Sequence, residues 1–372
     1  MLDKIIVFLL LLFECLQKSD VYYTKHITPQ AVVEIFKKLN ITLPGKVGLK
    51  VHTGEIGGPY FLHPDFLQPI YNYTNGTFIE CNTAYTSWGR HTTELHKYTL
   101  KRNGWLDNDR RTVIMDEDPS EDFNLTIPNF RNISNNTVGG HIKDFDSCLV
   151  LAHFKGHAMG GFGGALKQLS IGFASRAGKA NIHSGGYTCD YIETWNHKAE
   201  QLDFTNAMAD AASSVVNYFR QKGEIAFINV MSNISIRCDC GVGAPPPEIR
   251  DLGIMASLDP VAIDRASFDL IEKENTKGSH QWIDNANSLL GQNTMKVAED
   301  LGIGTQDYNL ICIDEDEDED DNTINFLWFI IIPLSVILLV AAGLIVFFLW
   351  KKKSKNKING GSLGVSMTGK TE

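Results

Sequence analysis

The chain has little cysteine, no basic excess and no internal repetition. Seven cysteines in 372 residues, with no CxxC pair among them, are too few for a disulfide scaffold. A formal net charge of −10 lacks the basic footprint that nucleic-acid binding requires. Low complexity is confined to an acidic run and a Gly/Ser/Lys tail, both read as solvated linkers. What remains is 43% apolar and 21% charged, which supplies a substantial core and argues against wholesale disorder. About 300 residues between the two hydrophobic ends suit one large α/β domain or two small ones.

The ends carry their own signals. Lys4 followed by the apolar run Ile5 to Phe13 predicts a cleaved signal peptide over residues 1–19, cut around Cys15 to Asp20, with a buried first strand or helix as the alternative. Phe326 to Trp350 is uncharged and, at 1.5 Å per residue, roughly 37 Å long, which predicts one C-terminal transmembrane helix. Trp328 and Trp350 sit near its ends, and Lys351, Lys352, Lys353, Lys355 and Lys357 follow. Positive residues stay cytosolic, so the expected topology is single-pass type I, in the plasma membrane or an endomembrane. Residues 20–313 then form a lumenal or extracellular domain, 314–325 an acidic linker and 351–372 a cytosolic basic tail. Seven Asn-x-Ser/Thr sequons, at Asn40, Asn72, Asn75, Asn124, Asn132, Asn135 and Asn233, fall on that lumenal side and predict a glycoprotein.

Within the domain, Thr28-Pro29 reads as a helix start, followed by apolar residues at helical spacing from Val32 to Leu39. Lys46 to His52 alternates like a strand. Cys148 to Ala152, Ile225 to Met231 and Ile254 to Leu258 are continuous apolar runs, expected of strands buried on both faces of a parallel sheet. Asp259-Pro260 opens a helix through Ile271, with Asp259 as its cap rather than a catalytic acid. The fold class implied is α/β: a largely parallel sheet with crossover helices. Ligands in such sheets bind beyond the carboxyl ends of the strands. The residues there are polar: His52 to Glu55, His153 to His157, and Arg237 to Cys240.

The segment His153 to Lys179 is the most distinctive. Gly160, Gly161, Gly163 and Gly164 either let backbone amides approach a ligand or permit tight packing. His153, His157 and Lys167 flank them. Lys167 reads either as a ligand-binding amine or as a solvated helix lysine, and His183 either as a ligand or as a residue packing a turn. Cys238 and Cys240, beside Asp239, either hold a metal or are bridged elsewhere. Arg90, His91 and His96, downstream of Asn82, either bind an anion or lie on an exposed helix.

Lys50 to Glu55, Glu80 to Tyr85, His153 to Gly164, Arg237 to Cys240 and Ala256 to Asp264 resemble the domain-of-unknown-function 362 family. The likeness runs from about Lys46 to the Leu301–Gly304 segment. Membership implies an α/β fold and a ligand or metal site, without supplying a reaction. Members are often labelled iron–sulfur-centre proteins, but the clustered cysteines of a ferredoxin module are missing here: Ser184 to Phe204 contains only Cys189. A more distant likeness is to nickel-pincer lactate racemases, through His157-x9-Lys167-x15-His183 around the glycine cluster. That likeness implies a cofactor carried by Lys167, nickel ligated by His183 and proton transfer by His157. Imidazole suits both roles.

The expectation is a site with His157 and Lys167 as catalytic residues. His52, Glu55, Asn82, Arg90, His153, Gly160, Gly161, Gly163 and Gly164 would bind the ligand, and His183, Cys238 and Cys240 a divalent metal. Its activity would be metal-dependent and racemase-like on a small anionic substrate, with a non-catalytic surface or lumenal binding protein as the alternative.

Overall fold

The computed structural model describes residues 18–107, 110–239 and 241–314. In chain order the strands are β1 (Ser19–Thr24), β2 (Val47–Lys50), β3 (Thr77–Glu80), β4 (Thr112–Ile114), β5 (Phe123–Thr126), β6 (Asn135–Val138), β7 (Ser147–His153), β8 (Lys155–His157), β9 (Gly161–Gly163), β10 (Ile225–Met231), β11 (Gly253–Ser257) and β12 (Tyr308–Cys312). The helices are α1 (Pro29–Lys38), α2 (Pro64–Thr74), α3 (Thr93–Arg102), α4 (Ala165–Lys167), α5 (Arg176–His183), α6 (Gln201–Lys222), α7 (Pro260–Lys273), α8 (Lys277–Ser288) and α9 (Gly291–Asp300). After α4 the chain continues through a π-helical turn, Gln168–Gly172.

Local chemistry sets several of these boundaries. The Thr28 hydroxyl accepts the Ala31 amide at 3.1 Å, and Pro29 occupies the first turn of α1, where a missing N–H costs nothing. Asp259 accepts the amides of Val261 and Ala262 at 2.8 and 2.9 Å, which caps α7. Its other oxygen accepts the Ser19 hydroxyl and the Thr305 amide, so one carboxylate joins three distant segments. Asp259 is a structural cap, as read from the sequence.

Eight strands form one sheet in the order β12-β1-β11-β10-β7-β2-β3-β4. β11 pairs antiparallel with β1 and β10, and every other pairing in the sheet is parallel. From β2 the chain steps outward to β3 and β4, whereas from β7 it steps the other way to β10. The direction of winding therefore reverses between β2 and β7. At such a reversal the carboxyl ends of the two strands open a crevice.

Alternation along the central strands divides the core between two faces. Leu149 and Leu151 of β7 pack with α1 and α2, while Cys148 and Val150 join α6 and α7 on the opposite face. All seven residues of β7 and of β10 are buried, which explains their unbroken apolar runs.

Two expectations need correction, and a third, the leader boundary, meets a strand. The run at Ile254 is a central strand, but β11 is antiparallel because the chain returns from β10 through residues 232–252 without a crossover helix. Ser19–Thr24, which overlaps the expected leader boundary, is a strand between β11 and β12. A cut at Asp20 would remove Ser19, whose amide donates to the Asp307 carbonyl and whose hydroxyl donates to Asp259. Finally, the spanning helix expected beside the α/β domain finds no support: among the described residues, no helix is long and apolar enough to cross a membrane. The expected span at 326–350, most of the leader and the basic tail lie outside the described residues.

Candidate ligand-binding site

The crevice between β2 and β7 deepens into a cavity of about 460 Å³. Its wall is supplied by the ends of strands and by the segments that leave them. His52 comes just after β2, Glu80 ends β3, His153 ends β7, His157 ends β8, Lys167 ends α4, and Lys179 and His183 share α5.

Close backbone approach holds the short β8–β9 hairpin in place. A Cβ on Gly156 would lie 1.9 Å from the Ile236 carbonyl oxygen, so only glycine lets β8 meet the 235–239 loop. The Gly156 amide donates to the Ser235 carbonyl at 2.8 Å, and the Lys155 ammonium pairs with the buried Asp239 carboxylate. His153 Nε2 lies 2.6 Å from the Ser232 carbonyl, so that nitrogen carries the ring proton and donates it.

His157 also carries its proton on Nε2, for a different reason. Its Nδ1 accepts the amides of Met159 and Gly160 at 3.2 and 3.0 Å, which leaves the proton of the neutral ring on the other nitrogen. Burial pushes the His157 pKa well below the ordinary value, and Lys167, Lys155, His183 and His52 push it further. All five groups line the one cavity. His183 stacks on Phe204 at 5.0 Å between ring centroids and lies 5.3 Å from the Trp195 ring. Burial lowers its pKa to about 3, with Lys167 and Lys179 adding to the shift, and its Nδ1 is buried without a hydrogen-bond partner.

A buried ionic network forms the other end. Lys50 donates to Glu80 at 2.8 Å, and Arg90 pairs with Glu80 at 3.2 Å and Glu55 at 2.9 Å. Burial alone would raise the Glu80 carboxyl, but Lys50 and Arg90 hold it well below the usual carboxylate range. The Tyr85 hydroxyl donates to Glu55 at 2.9 Å, and His52 Nε2 lies 3.2 Å from Arg90 Nη2. Lys179 donates to the Ala174 carbonyl at 2.6 Å; burial pushes its pKa down. Arg90, Lys155, Lys167 and Lys179 thus face the cavity against Glu55, Glu80 and Asp239, an excess of one formal positive charge.

The structure brings ten of the expected residues to this wall: His52, Glu55, Arg90, His153, His157, Gly163, Gly164, Lys167, His183 and Cys238. Asn82 is not on it. Its amide donates to Asp116 at 2.8 Å and its side-chain oxygen meets His96 Nδ1 at 3.0 Å, so it braces the layer behind. Arg90 and His96 are buried, which sets aside the exposed-helix reading for both. Gly160 serves the site only through its amide bond to His157, and Gly161, at φ +79°, packs against Ala286 and Gly291. Among the described residues, no three His, Cys, Asp or Glu side chains are grouped to hold a metal ion. Cys240 lies outside them.

Sequence reasoning misses Lys50, Glu80, Lys155, Lys179 and Asp239 as site residues. Two signals could have found some of them. Lys50 and Glu80 are charged residues ending otherwise buried strands, where the crevice rule points. Lys179 lies four residues before His183, on the same face of one helix.

With the geometry in hand, comparisons place the chain among known proteins. No curated protein matches the sequence. Similar solved structures include a protein from Thermotoga maritima, 11% identical with a TM-score of 0.37, covering 73% of this chain and 58% of that one. Another is the lactate racemase apoprotein from Thermoanaerobacterium thermosaccharolyticum, 14% identical with a TM-score of 0.34, covering 56% of this chain and 50% of that one. The chain thus spans between half and three fifths of the length of these two, and likenesses this weak carry no argument about chemistry. The sequence itself is decisive over residues 47–269, which match a family described as a domain of unknown function. That stretch contains both sides of the crevice and the cavity wall, and the chain belongs to the DUF362 family.

Proposed function

We propose that the cavity binds a small organic anion and that His157 exchanges a proton with it, in a racemase-like reaction. The observation that carries this reading is the meeting of His157, Lys167 and His183, with an excess of cationic side chains, in one cavity at the winding reversal. Lys167 attracts the anion and helps to keep both neighbouring imidazoles neutral. The neutral ring acts first as a base, through the tautomer with its proton on Nδ1: Nε2 then takes the ligand's proton, and the imidazolium so formed returns it.

A metal-bearing cofactor of the pincer type fits two of these residues, with the Lys167 amine as its attachment point and the His183 imidazole as its protein ligand. Bound there, it would add an electrophilic metal to the site. Metal analysis and intact mass of the full chain, with Lys167→Ala alongside, test that part: an added mass and metal lost in the variant support it, and their absence from natively sourced protein removes it.

Proton transfer is tested by incubating the full chain with 3-phenyllactate in D₂O and following deuterium incorporation at C2 by NMR. The reading predicts exchange that is lost in His157→Ala while 3-phenyllactate still binds. Exchange that persists undiminished in the variant contradicts it. Binding without exchange in the parent chain supports the non-catalytic alternative.

We also propose an extracytosolic setting for the domain. Six sequon asparagines, Asn40, Asn72, Asn75, Asn124, Asn135 and Asn233, are exposed, as glycan attachment requires, and Asn132 is half-buried. A glycosidase-sensitive gel shift of the expressed chain supports that setting, and no shift in a glycosylating host opposes it.

A further inference from the structure

We infer that the ligand is a monocarboxylate with an aromatic or similarly bulky apolar body, rather than a two- or three-carbon acid. This rests on the reading of the cavity as an anion site and names its ligand class. Three observations converge on it.

The first is size. About 460 Å³ lies in the range that encloses a drug-sized molecule, several times what acetate or lactate fills. The second is the apolar part of the wall. Phe61, Trp88 and Val242 line the cavity, the first two packed on Gly54 and Gly241, where an added Cβ would lie 2.4 Å from either ring. Met159 and Ile171, which pack on the small core beneath α5 and α6, and Trp195, beside His183, line it as well. Trp88 and Val242 remain 42% and 67% exposed, apolar surface that a ligand body would remove from water.

The third is charge. Three carboxylates already oppose the four cations of the wall, and the buried histidines are neutral. One negative charge therefore balances the site, whereas a dianion would overcompensate it. Lys50 and Asp116, just behind the wall, add one charge of each sign and leave that balance unchanged. One anionic group and a large apolar remainder is the composition that meets all three.

The test is calorimetric titration of the full chain with acetate, phenylacetate, 1-naphthylacetate and the uncharged 1-naphthaleneethanol. Affinity should rise along the three acids by about tenfold or more in total. Trp88→Ala, at a half-exposed position that does not disturb the core, should remove much of the naphthyl advantage, weakening 1-naphthylacetate several-fold more than acetate. Equal affinity for the three acids overturns the inference and leaves the anion site standing. If the alcohol binds as tightly as 1-naphthylacetate, or if none of the acids binds, the anion reading fails and the inference with it.

Discussion

Lys50 is fully buried, and its ammonium meets the Glu80 carboxylate at 2.8 Å beneath the cavity. Removing one partner of such a pair strands the other charge in a poorly solvated setting. Lys50→Met should therefore cost about 3 kcal/mol, read by urea denaturation; a loss under about 1 kcal/mol would show that Arg90 alone satisfies Glu80. His96, also buried, has its pKa pushed down to about 3, mainly by burial and then by Arg90. A histidine with a depressed folded pKa contributes stability above its unfolded pKa of about 6.5 and loses it as pH falls toward 3. In His96→Gln that loss is absent, so the stability of the variant relative to the parent should improve by about 1.4 kcal/mol per pH unit between about pH 6 and 4. A pH-independent difference would contradict a neutral buried imidazole. The residue types of the site were legible in the sequence, but the pairing of Glu55 with Arg90 joins groups 35 residues apart, which one sequence does not display.

At the scale of elements, the glycine-rich segment divides between packing and site. Gly156→Ala would drive a methyl group into the Ile236 carbonyl, so it should destabilise the chain by about 2–3 kcal/mol and loosen the loop bearing Cys238 and Asp239. Gly163→Ala meets nothing nearer than Lys167 Cδ at 3.6 Å, and its cost should stay within about 1 kcal/mol. Thermal melts of the two variants separate these outcomes, and equal losses would remove the distinction. Helix starts at Thr28 and Asp259 were readable because a cap is a local event of three or four residues. The direction of β11 was not, since an apolar strand looks the same either way and only its partners β1 and β10 fix it.

For the whole molecule, strand order decides where the site lies. The polar residues after β2 and β7 were visible in the sequence, but adjacency of those two strands, and hence the winding reversal between them, depends on pairings such as Leu49 with Leu149, far apart in the chain. Once that order is known, the cavity, its cations and its neutral histidines occupy the place where a doubly wound sheet receives a ligand. The decisive experiment is the affinity of 3-phenyllactate for the full chain, for Lys167→Ala and for His157→Ala, by calorimetry at constant salt. Saturable binding should weaken about tenfold or more in Lys167→Ala and change by less than about threefold in His157→Ala. Equal affinity in the parent and Lys167→Ala, or no saturable binding by the parent, would refute an anion site built on that lysine.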